Sequence, residues 1–291
     1  MDPHLLKTFV TVVRLGSFSA AAAELGYTQA AVSQQIAALE SDLKVVLLNR
    51  RPVTPTEAGT RLLEHAEPIL LRLDAARADL TRMTQVPAAT LTVGITPLAA
   101  APSMLASTLT ALRQRMPRLE ATVRVASRSS VATGVARGEL DIGLLDDLTA
   151  PGDPLPLQEP LTGVSIAEAE VALALPLDHP LASRQRIRLA DLVDARWIDA
   201  PEVAPPLSRV RRVAGTEGFR TAFRYEGTDP LSLIALAAAG HGLTLLPTSV
   251  LAGHQIAAVP VVAELPIVHT VELIHGVLRD ASPAAELASL L

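Results

Sequence analysis

Gln29, Ser33 and Gln34 occupy one stretch, TQAAVSQQIAALE, at spacings that bring them together on a helix. With 3.6 residues per turn they share a stripe with Ala30 and Ala37, while Val32, Ile36 and Leu39 fall on the opposite side. Amides and a hydroxyl on short stems, flanked by alanine, can lie close to a surface and bond to base edges in a major groove. Gln and Ser on an exposed helix side are more often a solvated face, which is the alternative. A second group stands further along, with Thr96 after the apolar run LTVGI and Ser127, Arg128, Ser129 and Ser130 after ATVRVA. Hydroxyls, one guanidinium and a helix start would suit a carboxylate, through charge-assisted hydrogen bonds and the helix dipole. Serine and threonine are also ordinary helix caps, so a capped turn is the alternative. Thr162, Glu202 and Thr228 are further candidates of this kind. His179 and His241 stand beside Pro or Gly without a ligand-spaced partner, and a structural role is expected for both.

Catalytic patterns are missing. The chain has no glycine-rich phosphate loop, nucleophile elbow or HExxH spacing, and no cysteine for a thiolate nucleophile, a metal site or a disulfide. No enzymatic activity, cofactor or metal is expected.

The elements that must position the first group are short helices. LLKTFVTVVRLGS carries Leu6, Phe9, Val10 and Val13 at helical spacing and stops at Gly16. Ser17 and Ser19 can cap a second helix, whose small residues AAAAEL permit close approach and whose end suits Gly26. Thr28 caps the third helix, which carries the stripe. The chain has a net charge of −5, but residues 1–87 hold nine basic and nine acidic side chains, so the deficit lies beyond them. DNA binding must then rest on placed residues and not on a general basic field.

From Thr56 the pattern becomes one long helix. Leu62, Ala66, Ile69, Leu73, Ala76, Leu80 and Met83 alternate spacings of four and three, the period of a seam between paired helices. Pro68 inside it predicts a kink. Beyond QVPAAT, short apolar runs alternate with helical stretches. Strands are expected at 91–95, 121–126, 141–145, 169–175, 196–200, 223–227, 243–247 and 270–278, in α/β subdomains with largely parallel sheets.

Residues 1 to about 65 resemble the winged helix-turn-helix of LysR-type transcriptional regulators, through LLKTFVTVVRLGSFSAAAAELGYTQAAVSQQIAALESDL, LLNR and TPTEAG. Lys44 stands where that family usually has Gly, and Leu48 where it has Phe. The resemblance continues through LTVGI, MPRLEATVRV, VARGELDIGLL, DHPLA and AAAGHGLTLLP. It implies an α+β multi-domain chain: a winged helix-turn-helix (1–58), a linker and dimerisation helix (59–87), and a two-lobed α/β effector domain (88–291) like type 2 periplasmic binding proteins. The chain should then cross between lobes near 160–168 and 262–269. By position, the family's DNA contacts fall on Ser19, Thr28, Gln29, Ala30, Ser33 and Gln34, with Arg50 and Arg51 reaching phosphates beside a short wing. The implied partners are double-stranded promoter DNA, a small-molecule effector such as an organic anion, further copies of the chain as dimer or tetramer, and RNA polymerase.

The rival reading as a transporter's solute receptor needs an export signal, and MDPHLLKTFVTVV lacks a basic segment followed by a continuous apolar core. No stretch reaches about 18 uncharged apolar residues. The expected location is the cytoplasm, at the nucleoid, with no membrane partner.

Overall fold

A computed structural model of the chain describes residues 1–84, 90–99, 104–157, 159–216, 218–263 and 266–291. It forms two compact units, one built on Met1–Arg82 and the other on Met83–Leu157 and Leu161–Leu291.

In the first unit α1 (Pro3–Leu15), α2 (Phe18–Leu25) and α3 (Gln29–Leu43) each begin at a side-chain cap and end at a left-handed residue. Asp2, Ser17 and Thr28 accept hydrogen bonds from the free amides of the first turns; Gly16, Gly26 and Lys44 close the last turns. Ser17, and not Ser19, caps α2. Lys44 takes φ 54°, a conformation that disfavours a Cβ, which is the physical reason for glycine at this place in the family pattern. The three helices enclose Phe9, Val12, Ala21, Val32, Ile36 and Leu39, none of which exposes surface. β1 (Leu48–Arg50) and β2 (Val53–Pro55) form an antiparallel hairpin, and α4 follows as one helix, Glu57–Thr84, with Pro68 inside it. Gly59 is fixed by packing, since a Cβ there would lie 2.2 Å from the Leu47 carbonyl oxygen.

The second unit starts with β3 (Thr90–Ile95), α5 (Met104–Arg115), β4 (Glu120–Val125), α6 (Arg128–Ala136), β5 (Ile142–Thr149) and β6 (Thr162–Ala169). Then come β7 (Val171–Leu175), β8 (Ile187–Arg188), a 3-10 turn at Leu189–Leu192, β9 (Arg196–Asp199), α7 (Leu207–Ala214), β10 (Arg220–Arg224), α8 (Pro230–Ala238), β11 (Thr244–Pro247), α9 (Thr248–Leu251) and β12 (Ala257–Val262). β13 (Val268–His275) and α10 (Pro283–Leu290) complete it. One lobe holds the five-stranded sheet β4-β3-β5-β13-β6; the other holds β11-β7-β12-β8, with the parallel pair β9–β10 joined to it where Trp197 bridges Leu243.

Three sequence expectations change here. The sheets are mixed, because β13 runs antiparallel to β5 and β6, and β7 antiparallel to β11 and β12. The run at 169–175 is two strands in different sheets, so the first crossing between lobes is at Glu170, and 160–168 mostly belongs to β6. β12 is a strand with Pro260 inside it. The second crossing does fall between Val262 and Val268. Side chains reach across as well: Leu98 and Leu148, from the first lobe's strand ends, belong to apolar clusters of the second.

Candidate nucleic-acid interface and ligand cleft

α3 turns Val32, Ile36 and Leu39 into the core and leaves Gln29, Ala30 and Gln34 exposed, with Ser33 half-buried. The predicted stripe is therefore a surface, held against the three-helix core by apolar burial of about 1.5–3 kcal/mol per large side chain. Two hydrogen bonds orient it further. Ser19 Oγ on α2 donates to Gln29 Oε1 at 3.2 Å, and buried Thr8 on α1 donates to Gln35 Oε1 at 2.6 Å. The Thr28 hydroxyl accepts from the Ala31 amide at 3.2 Å, so its role is to start the helix.

The two arginines beside the wing differ. Arg50 lies 3.3 Å from Glu40 Oε2 and places its guanidinium carbon 5.2 Å from the centre of the Phe18 ring. Glu40 Oε1 accepts from the amides of Leu47 and Leu48 at 2.9 and 3.2 Å. Glu40 thus ties α3 to the base of the hairpin and holds Arg50 in place, a role the sequence reading missed because its partners lie seven to ten residues away. Arg51, at the hairpin turn, is exposed.

Along α4 the predicted seam divides. Leu62 packs on the core of its own domain, and Ala66 is fully buried, so these two positions are covered within the chain. Ile69 and Leu80 are 38% and 64% exposed, Ala76 is exposed and Leu73 half-buried. The side chain of Met83 lies outside the described residues.

In the second unit, Thr96 and Arg128 meet at the carboxyl end of the first lobe's sheet, around two residues not foreseen, Asp146 and Asp147. The Thr96 hydroxyl is buried and donates to Asp146 Oδ1; His269 Nε2 lies 2.9 Å from Asp146 Oδ2. Arg128 donates through Nη1 to Asp147 and through Nη2 to the Asp146 carbonyl, while its Nε is buried without a partner. Burial works to raise the Asp146 pKa, but the hydrogen bond and charge of His269, aided by Thr96 and Arg128, outweigh it and hold the carboxyl below its ordinary value. From the second lobe, Arg209 on α7 donates to the Leu148 carbonyl at 2.7 Å.

This arrangement alters the predicted anion site. Arg128 already faces a carboxylate of its own chain, and Thr96 points into the network, so an incoming anion must compete with Asp147. Ser127 caps α6 by accepting from the Ser130 amide at 3.2 Å, leaving Ser129 and Ser130 exposed beside it. Glu202 and Thr228 are exposed just beyond β9 and β10 on the second lobe. Thr162 does not join them: it pairs with His275 at the opposite end of the first lobe's sheet from Thr96. The signal that could have revealed the network was two adjacent aspartates closing an apolar strand, a pattern that needs buried partners. His179 accepts from the Leu181 amide at 3.2 Å, and the His241 ring lies 5.8 Å from that of Phe223. Among the described residues no cluster of three or more His, Cys, Asp or Glu could hold a metal, and no helix is long and apolar enough to cross a membrane.

Residues 3–60 match the family described as "Bacterial regulatory helix-turn-helix protein, lysR family", and residues 84–288 match "LysR substrate binding domain". The transcriptional regulator AlsR of Bacillus subtilis is 30% identical over 254 residues, 86% of this chain and 81% of its own. The dual regulator GltC of the same organism is 28% identical over 290 residues, 98% of this chain and 94% of its own. Full-length CbnR in complex with its target DNA shares the fold, with a TM-score of 0.56 at 24% identity over 100% of this chain and 98% of that one.

Proposed function

Because the chain belongs to the LysR family of DNA-binding transcriptional regulators, we propose that Gln29, Ala30, Ser33 and Gln34 form its base-reading face. Arg51 is the principal phosphate contact, and Ile69, Leu73, Ala76 and Leu80 pair the α4 helices of two copies at a promoter served by RNA polymerase. The observation that carries this reading is the stripe on α3: polar, short-chained and exposed, backed by three fully buried residues that leave it no freedom to turn. Pairing two such helices doubles the contacts and fixes the half-site spacing. Gln34→Ala should weaken binding to the preferred sequence by about 1–3 kcal/mol and leave non-specific binding unchanged. A binding titration against specific and random duplexes decides; equal specificity ratios for both proteins remove Gln34 from the face.

The regulator's activity is modulated by a small molecule bound in the C-terminal domain. We infer that this effector is an organic anion, seated at Arg128 with Ser129 and Ser130 and displacing Asp147 from the guanidinium. Supporting this are the unpartnered Arg128 Nε and a helix start beside it in an otherwise acidic domain. Asp147→Asn removes the competing charge while keeping the oxygen that accepts from the Leu148 amide. In a thermal-shift screen of organic acids it should bind more tightly than wild type, and Arg128→Ala should not bind. Stabilisation by neutral apolar compounds alone would overturn the anion assignment.

A further inference from the structure

Gln29 and Ser19 stand on different helices, and one side-chain hydrogen bond joins them. A glutamine amide has two faces to offer: an oxygen that accepts and a nitrogen with two donors. Free in solvent it presents either. When both ends meet a base it fits adenine, whose groove edge carries the acceptor N7 and the donor N6 amine, whereas guanine offers two acceptors, N7 and O6. Here the Ser19 hydroxyl donates to Gln29 Oε1 at 3.2 Å. Ser19 lies in the first turn of α2, which Ser17 fixes by accepting from the Ala20 amide, and Gln29 is the first residue of α3 after its Thr28 cap. Both backbones are therefore set by helix starts. The Ser19 oxygen is not needed as a cap, which leaves its proton for the amide. Both side chains are exposed, so nothing in the core demands this contact.

We propose that Ser19 is a positioning residue for base recognition: by holding the Gln29 oxygen it turns the Nε2 donors outward and biases that position of the half-site toward guanine over adenine. This rests on the reading of α3 as the base-reading face, and it adds that the preference is set from α2. Ser19 need not touch the DNA. The alternative for an exposed serine at a helix start is a phosphate contact, which would strengthen binding to every sequence alike.

The test is selection from a randomised duplex library by the full-length protein and its Ser19→Ala, Ser19→Thr and Gln29→Ala variants, followed by titration of the selected half-sites over a range of salt. The wild type should prefer guanine at one position, and Ser19→Ala should reduce that guanine-over-adenine preference by about three- to tenfold, the bias that one neutral hydrogen bond can impose on the amide. Ser19→Thr keeps the hydroxyl and should restore it. The salt slope should be the same for all three. If Ser19→Ala weakens every sequence equally and leaves the guanine preference intact, Ser19 is a phosphate contact and the proposal fails. If Gln29→Ala relaxes one position while Ser19→Ala relaxes none, the positioning role fails and the recognition face stands. If Gln29→Ala itself leaves every position unchanged, the positioning role is overturned and Gln29 is removed from the face, while Gln34→Ala still decides the rest of it.

Discussion

His269 Nε2 lies 2.9 Å from Asp146 Oδ2, and both side chains are almost fully buried, 4% and 6% exposed. Asp146 is on β5, a strand wholly of the first lobe, whereas His269 is the second residue of β13, directly after the chain returns from the other lobe. The contact fixes where the returning strand enters the sheet. Removing one member of a buried pair leaves the other without compensation, at a cost of about 3–5 kcal/mol. His269→Ala should accordingly lower the unfolding free energy in urea by that order, and a loss below about 1 kcal/mol would show the pair to be dispensable.

The same carboxylate sets an acid limit. Its folded-state pKa lies below the ordinary 3.8, so it binds its proton more readily when unfolded. The stabilisation it brings is fully present above the ordinary value and is lost as pH falls through the lower folded one. Asp146→Asn should therefore be less stable than wild type at about pH 5, and the gap should narrow toward about pH 2. Denaturation curves across that range that stay parallel would contradict this.

Arg50 and Arg51 should separate in a salt titration. Arg51→Ala should lower affinity for all duplexes and reduce the slope of log affinity against log salt by about 0.9, the loss of one phosphate contact. Arg50 is tied to Glu40 and Phe18, so Arg50→Ala should change the slope less and act through the position of the hairpin. Equal slope changes would mean that Arg50 leaves Glu40 on binding.

The α4 seam should respond in two ways. Leu80→Glu places a charge at a position exposed in the single chain, and should yield a folded protein that sediments as a smaller species with weaker operator binding. Leu62→Glu puts the charge against the domain's own core and should lower the melting temperature of the DNA-binding unit instead. An unchanged oligomer for Leu80→Glu would move the pairing surface elsewhere.

At the end of α3, Lys44→Gly relieves a left-handed backbone carrying a Cβ and should stabilise the first unit by roughly 1 kcal/mol. Urea unfolding of the two proteins is a direct measure.

The DNA-binding unit was legible in the sequence because its information is local. Caps, stop residues and the Val32–Ile36–Leu39 stripe lie within a few residues of what they control. The cleft was not. Thr96 and Asp146 are 50 residues apart and Asp146 and His269 are 123, and no spacing rule joins them. β12 was hidden by Pro260, which reads as a break but sits within its strand, and β6 by its mixed run TGVSIAEA, exposed along much of its length. The apolar repeat on α4 is legible by period alone, yet period cannot say whether its partner is another copy or, as for Leu62, the helix's own domain.

Two passages of chain join the lobes, one at Glu170 and one between Val262 and Val268. A body held by one tether can twist, slide and swing, but a body held by two close tethers keeps only rotation about the line through them as a soft motion. The chain trace alone therefore leaves one soft rotation between the lobes, and the side chains that cross it, Leu98, Leu148 and Arg209, are what opposes that rotation.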